Sequence, residues 1–260
     1  MSRAVSLNNV YGYTLSGDVS ADKLFLQEGD GGNGKGTVND FMRRSIFGRQ
    51  PDGYATEIPI EALLEQKNDR HPTDLMDLWG ARLALARESD ETSRWNEGRV
   101  KRLTGRDPIK ARRMRCDFVE FEATHKLVVF VNIKPILRGA DQAAWRRRLQ
   151  LLYFPQLWAD EADPKKGILK RDPEMGDKLD KEAAGVLWKL IQACKTWYRT
   201  HDLKAPATVL NASNEYLAQQ SHGAAFIDDC LDLSNPFATI TVNDSFGELS
   251  TVDLHEKPIR

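Results

Sequence analysis

A glycine-rich run with one lysine, residues 29–37, is the part of the sequence best suited to chemistry. Gly29, Gly34 and Lys35 occupy the first, sixth and seventh places of the pattern G-x-x-x-x-G-K-[ST]. In that pattern the backbone N–H groups of the loop and the following helix N-terminus bind a polyphosphate, and the lysine reaches its β- and γ-phosphates. The sequence therefore predicts a phosphate-binding loop. Its candidate cofactor-binding residues are Gly29, Asp30, Gly31, Gly32, Asn33, Gly34, Lys35, Gly36 and Thr37.

The eighth place of the pattern, which normally holds the hydroxyl that binds Mg²⁺, is Gly36, and the hydroxyl follows at Thr37. Either Thr37 reaches the metal from a slightly shifted loop, or water takes that role. A glycine-rich surface turn is the alternative, because glycine and asparagine favour turns for conformational reasons. A turn explains the glycines but not the lysine beside Gly34.

The flanking segments fit the elements that such a loop requires. Residues 24–28 form a short apolar run bounded by glycine, which predicts a buried strand. Val38, Phe41, Met42 and Ile46 recur at helical spacing. The stretch is therefore predicted to be a strand, a loop and a helix.

Two further strands are predicted to bring polar groups to the loop. The run 81–86 (ARLALA) ends in Arg87 and Glu88, and a carboxylate at such a strand end can hold Mg²⁺ or activate the attacking water. The alternative is an acidic helix N-terminus that offsets the helix dipole. The run 127–131 (LVVFV) ends at Asn132, whose amide can cap a turn or orient a water near the γ-phosphate.

Basic residues are concentrated between positions 99 and 115, which hold eight basic residues and one acidic residue. Residues 109–121 combine this run with Phe118 and Phe121, a composition that predicts a β-hairpin with a cationic tip. Such a tip can neutralise the phosphates of a nucleic acid, and the alternative is a solvated charged face. Three arginines, 146–148, lie in a predicted short helix before the strand 149–154, and arginines there could contact a γ-phosphate or be ordinary surface residues.

Bulk composition is that of an ordinary globular protein of one large domain or two small ones, with 260 residues, 41% hydrophobic and 29% charged. We expect a cytoplasmic protein without membrane contact, because no apolar run could span a bilayer and the N-terminus lacks a signal-peptide core. The three cysteines, Cys116, Cys194 and Cys230, lack metal-ligand spacing, so we expect reduced, mostly buried thiols and no zinc site.

The motifs in this order resemble the C-terminal ATPase portion of phage and plasmid primase-helicases, which are superfamily 3 helicases. The resemblance covers about residues 11–227. It rests on the segments YGYTLSGD, GDGGNGKGT, ARLALARE, KRLTGRDPIKAR, HKLVVFVNIKP and WRRRLQLLYFP.

This resemblance implies an α/β fold, an AAA+-like P-loop NTPase with a three-layer sandwich around a mostly parallel sheet and a C-terminal helical region. Its expected parts are a lead-in segment (1–21), the ATPase core (22–155), a helical region (156–215) and the start of a winged-helix-like region (216–260). It also implies a homo-hexameric ring around single- or double-stranded DNA that uses ATP and Mg²⁺, with a primase domain or subunit as partner.

The resemblance also implies roles for single residues. Lys35 would bind phosphate, Glu88 would be the acidic residue of the second strand and a Mg²⁺ ligand with Thr37, and Asn132 would be the polar sensor. Arg147 or Arg148 would reach the ATP of a neighbouring subunit. The segment that faces DNA in this family would contain Lys101, Lys110, Arg112, Arg113 and Arg115.

Three departures from the family pattern leave other functions open. Gly36 replaces the usual hydroxyl, the second strand ends with one carboxylate where many ATPases have two, and both ends of the chain are short of the flanking domains. The alternative functions are an ATP-binding, DNA-associated module or decayed prophage remnant with little turnover, and a small-molecule kinase. The kinase leaves the basic run unexplained.

Overall fold

A computed structural model describes residues 3–66, 72–87, 93–137 and 142–220 of the chain. Its strands are β1 (Leu24–Glu28), β2 (Ala55–Glu57), β3 (Leu83–Arg87), β4 (Ile109–Ala111), β5 (Val119–Phe121), β6 (Lys126–Val131), β7 (Leu149–Tyr153), β8 (Trp158–Ala159) and β9 (Leu169–Lys170). Its α-helices are α1 (Arg3–Leu15), α2 (Lys35–Phe41), α3 (Glu97–Thr104), α4 (Gln142–Arg148), α5 (Met175–Lys181), α6 (Ala183–Thr200) and α7 (Ala207–Gln219). Short 3-10 helices cover Ile60–Ala62, Pro72–Leu78 and Pro164–Lys166, and a π-helical turn, Met42–Ile46, continues α2.

Five parallel strands form the central sheet in the order β2-β3-β6-β1-β7. Glu28, the last residue of β1, pairs in register with Val131 of β6 and Tyr153 of β7. Arg87, the last residue of β3, pairs with Phe130 of β6. The carboxyl ends of these strands therefore meet at one edge of the sheet.

Helices cover both faces of this sheet because its strands are apolar on both sides. On one face the core includes Leu24, Leu26, Val129, Leu103, Trp145 and Tyr216, with contributions from α3, α4 and α7. On the other face it includes Phe25, Val128, Tyr11, Phe41, Leu190 and Trp197, with contributions from α1, α2 and α6. This arrangement confirms the predicted α/β fold with a central, mostly parallel sheet.

Most predicted elements are present, with a few differences. The predicted lead-in segment contains the helix α1, which buries Val10, Tyr11 and Tyr13. The chain divides after Leu217 into two units, and the predicted domain boundaries stay predictions. The apolar pattern of residues 224–231 predicts a further helix, and these residues lie outside the described ones. In the described ranges, no helix is long and apolar enough to cross a membrane.

The prediction of mostly buried cysteines is wrong for Cys116, which is exposed near the tip of the β4–β5 hairpin. That position belongs to the turn between two strands, where no second layer covers the side chain. Cys194 on α6 is half-buried, and Cys230 lies outside the described residues.

A buried histidine makes the stability of this fold sensitive to acid. His125 precedes β6 and is 2% exposed, and its Nε2 lies 3.0 Å from the carbonyl oxygen of Leu103. Burial lowers the pKa of His125 from 6.5 to about 4. Between pH 6.5 and pH 4, His125 is therefore protonated in the unfolded chain but neutral in the folded chain. The stability of the fold decreases as the pH falls through this range.

We expect the free energy of unfolding to decrease by about 3 kcal/mol between pH 6.5 and pH 4 through this group. Urea unfolding of the His125→Gln variant across this range should show a flatter pH dependence, because an amide does not titrate. His201→Gln, which changes an exposed histidine, should keep the wild-type dependence. Equal slopes in wild type and His125→Gln would contradict the assignment.

Candidate nucleotide site

The glycine-rich loop lies at the carboxyl edge of the sheet, between β1 and α2. Gly32 (φ 73°) and Gly34 (φ 87°) adopt left-handed backbone conformations, which glycine reaches without steric cost. A Cβ on Gly29 would lie only 2.5 Å from the carbonyl oxygen of Phe154. The loop therefore depends on glycine for its conformation at two positions and for close approach at a third.

The side of the loop next to β7 is fixed by hydrogen bonds. Asn33 is 6% exposed, and its Nδ2 donates to the carbonyl oxygen of Phe154 at 3.1 Å. The backbone N–H of Trp158 donates to the carbonyl oxygen of Gly32 at 2.8 Å. The segment after β7 thus fixes the position of the loop, and Asn33 has a structural role here.

Lys35 begins α2 and folds back under the loop. Its side chain is 5% exposed, and Nζ donates to the carbonyl oxygen of Gly29 and to Oδ1 of Asn132, the latter at 3.3 Å. Removal from water lowers the pKa of Lys35, and the carboxylates of Asp30 and Glu28 offset part of this shift. Both hydrogen-bond partners are neutral oxygens. A buried ammonium in such surroundings suits a polyphosphate, whose charge would compensate the loss of hydration.

Asn132 lies beside Lys35 because β6 is the direct neighbour of β1. The amide is exposed and follows the last residue of β6. The structure thus brings together two of the predicted site residues that lie 97 positions apart.

A second lysine lies at the carboxyl edge of the sheet, and it was not among the predicted site residues. Lys134 pairs with Glu28, the residue before the loop, and its Nζ lies 5.5 Å from the ring centroid of Tyr216 on α7. The side chains of Lys134 and Glu28 are 25% and 18% exposed. The only signal in the sequence is the position of Lys134, two residues after Asn132 at the end of an apolar strand.

A buried polar network supports the loop from below. Nε2 of Gln27 donates to Oη of Tyr11 at 3.0 Å, and Oη of Tyr11 donates to Oδ1 of Asn39 at 2.8 Å. Nδ2 of Asn39 donates to Oε1 of Gln27 at 2.7 Å and to the carbonyl oxygen of Lys35 at 2.8 Å. The network connects β1, α1 and α2, so it fixes how α2 leaves the loop. A glutamine inside an otherwise apolar strand is the signal that could have indicated it.

The predicted metal ligands are less defined. Thr37 is exposed in the first turn of α2, and a Cβ on Gly36 would meet nothing within 4 Å, so packing does not require glycine there. Glu88 lies outside the described residues. The described ranges contain no cluster of three or more acidic, histidine or cysteine side chains able to hold a metal ion. The roles of Thr37 and Glu88 stay predictions.

Arg147 and Arg148 lie at the opposite edge of the sheet, where the strands begin, which we call the amino edge. They precede Leu149, which pairs with Leu24, the first residue of β1. Arg148 is 7% exposed and donates to Oγ1 of Thr104 at 3.2 Å, whereas the side chain of Arg147 is 60% exposed and lies 3.7 Å from Asp22. Burial leaves Arg148 unsuited to reach another molecule, so the geometry favours Arg147 among the two candidates.

Lys101, which was predicted to face DNA, lies on α3 and pairs with Glu97 at 2.8 Å. Together with Arg147 and Arg148 it lines a groove of about 330 Å³. Lys101 therefore lies next to Arg147, at the amino edge of the sheet.

The other basic residues predicted to bind nucleic acid lie on a hairpin. Strands β4 and β5 pair antiparallel, with Lys110 opposite Glu120, and residues 112–118 connect them. Lys110, Arg113 and Arg115 are exposed, and Arg112 is half-buried. The hairpin is therefore present as predicted, while DNA contact stays a prediction.

The sequence of this chain is similar to those of two viral proteins named as putative helicases. A family model described as a family of unknown function (DUF5906) matches residues 28–148. "Putative helicase 022R" of Frog virus 3 (isolate Goorha) is 26% identical over 258 residues, which cover 94% of this chain and 26% of that protein. "Putative helicase L207/L206" of Acanthamoeba polyphaga mimivirus is 24% identical over 253 residues, which cover 93% of this chain and 25% of that protein. The chain spans about a quarter of the length of these relatives.

Solved structures with a similar fold include the NrS-1 C-terminal region. Its apo structure of residues 305–718 has a TM-score of 0.58 and 14% identity, and the match covers 95% of this chain and 57% of that one. An A form apo structure of the same region gives a TM-score of 0.58 and 11% identity with the same coverage. At these identities the likeness concerns the fold.

Proposed function

We propose that this chain is the ATP-driven motor of a DNA helicase of the superfamily 3 type, acting in phage, plasmid or viral DNA replication. The observation that carries the proposal is the position of Lys35, buried under the loop and 3.3 Å from Asn132 at the carboxyl edge of the sheet. The names of the two viral relatives agree with this function.

In this proposal the substrate is Mg·ATP, with its phosphates along the backbone N–H groups of residues 29–36. Lys35 stabilises the charge that develops on the γ-phosphate, and Asn132 orients the attacking water. Glu88 accepts the proton of that water, and Thr37 contributes to metal binding. Lys134 can exchange its bond to Glu28 for one to a phosphate oxygen, because the same edge of the sheet holds both.

The position of Arg147 supports completion of the site by a neighbouring subunit. At roughly 3.3 Å per residue, Leu24 and Glu28 are about 13 Å apart, and an arginine side chain extends over less than that distance. Arg147 at the amino edge therefore cannot reach the loop of its own copy, and its proposed target is the loop of another copy, with Lys101 beside it. Repetition of such a head-to-tail contact produces a closed ring when the rotation between successive copies closes, and a homo-hexamer is the size proposed. A primase domain or subunit is the proposed partner.

The alternative is a nucleotide-binding, DNA-associated module with little turnover. Gly36 at the eighth place of the loop pattern is the observation that favours it, because a hydroxyl at that place normally binds Mg²⁺.

Steady-state ATP hydrolysis with and without single-stranded DNA, measured beside sizing chromatography, tests the proposal. We expect hydrolysis that single-stranded DNA stimulates severalfold and elution as a ring-sized particle. Nucleotide binding without turnover would contradict the motor and support the module. Turnover that needs a small phosphate acceptor would instead support a kinase.

A further inference from the structure

The β4–β5 hairpin has one face toward the core and one toward solvent. Ile109 and Phe121 are a register pair, and both are buried. The ring of Phe121 stacks on Trp79 with centroids 5.9 Å apart and planes 16° apart. The next pair, Lys110 and Glu120, is exposed on the opposite face. The hairpin is thus anchored at its base and presents the other face to solvent.

Phe118 stands on the solvent face between basic side chains. Its ring is 48% exposed, the Arg112 guanidinium carbon lies 4.6 Å from the ring centroid, and Nζ of Lys110 lies 5.5 Å from it. These contacts are cation–π interactions, which hold the ring and the two cations in one patch. The patch therefore combines an accessible aromatic surface with positive charge.

We propose that Phe118 is a stacking platform for an unpaired nucleobase, and that Lys110 and Arg112 bind the phosphates on either side of it. This inference rests on the proposed function and gives it a substrate class, namely single-stranded nucleic acid. A base inside a duplex is stacked on its neighbours and does not expose its face, whereas an unpaired base can stack on an aromatic ring. An acidic peptide would use the two cations but would leave the ring without a role.

The test is the affinity of wild type and variants for three labelled oligonucleotides of equal length, measured by fluorescence anisotropy at fixed salt. The probes are oligo(dT), the same backbone with abasic sites, and a blunt duplex. For Phe118→Ala we expect about tenfold weaker binding of oligo(dT), the typical cost of one lost stack. Binding of the abasic strand and the duplex should change less than twofold. Phe118→Trp should bind oligo(dT) as wild type does.

Two matched controls separate stacking from charge and from surface aromaticity. Lys110→Ala should weaken oligo(dT) and the abasic strand by the same factor, because both strands carry the phosphates that this ammonium is proposed to bind. Tyr54→Ala removes another exposed aromatic ring, outside the hairpin, and should change nothing.

The inference fails if wild type binds oligo(dT) and the abasic strand equally, or if Phe118→Ala weakens all three probes alike. Equal binding of poly-glutamate and oligo(dT) would also overturn it in favour of an acidic partner. A wild type that binds none of the nucleic acids contradicts the proposed function itself. Salt-dependent binding that ignores the bases contradicts only the platform.

Discussion

Substitution of Lys35 by alanine should reduce ATP hydrolysis by about 10²- to 10³-fold, the typical effect of removing one group that stabilises charge in the transition state. The ammonium is positioned by Gly29 and Asn132 at the carboxyl edge of the sheet, where the γ-phosphate is proposed to bind. The measurement is the steady-state rate of phosphate release at saturating Mg·ATP.

Lys189→Ala is the matched control, because it removes a lysine from an exposed position of α6. It should keep the wild-type rate. Circular dichroism and the urea midpoint show whether Lys35→Ala remains folded, which we expect because the polar network of Tyr11, Gln27 and Asn39 bonds to the backbone rather than the side chain of Lys35. A folded Lys35→Ala variant with a rate within threefold of wild type would remove the nucleotide-site assignment.

Substitution of Arg147 by alanine should reduce the rate by about 10³-fold, since an arginine supplied to a γ-phosphate contributes 10³ or more to turnover. Because Arg147 lies at the amino edge, a second copy that keeps its arginine should restore the activity that Arg147→Ala loses. A mixture of Lys35→Ala and Arg147→Ala proteins forms some interfaces with an intact loop on one side and an intact arginine on the other. The mixture should therefore hydrolyse ATP faster than either variant alone.

Arg146→Ala is the control for this pair of variants. Arg146 is the preceding residue of α4 and bonds to Oδ1 of Asn214 at 3.1 Å, so its loss should leave the rate nearly unchanged. If the mixture is no faster than the sum of its components while Arg147→Ala alone is inactive, the arginine does not act between copies. A normal rate for Arg147→Ala would contradict any role in turnover.

The loop and its strand-and-helix context could be predicted because they depend on neighbours in sequence. Glycine at positive φ and lysine at the start of a helix follow local rules, and the apolar runs before Gly29 and Asn132 are strong strand signals. The contact between Lys35 and Asn132 could not be predicted from either segment alone, because it depends on β6 lying next to β1. Neither segment contains information on strand order, which the structure provides.

Other features could not be predicted because they are set by packing between distant elements. The ion pair of Glu28 with Lys134 joins residues 106 positions apart and has no pattern in the sequence. The three arginines of α4 are equivalent in sequence, yet successive helical residues point in different directions. Of the three, Arg148 is buried, and it donates to Thr104 of α3. Phe118 was predicted only as a member of the hairpin, and the structure shows that it is exposed while Phe121 is buried.

The placement of Lys35 and Arg147 on opposite edges has a consequence for how this protein behaves on dilution. Under the proposed function, each copy carries the receiving half of one site and the donating half of another, so a solitary copy would have no complete site. Hydrolysis per molecule should then rise with protein concentration and level off when assembly is complete. In a cell, such a motor would be silent until enough copies gather, and DNA that gathers them would switch it on.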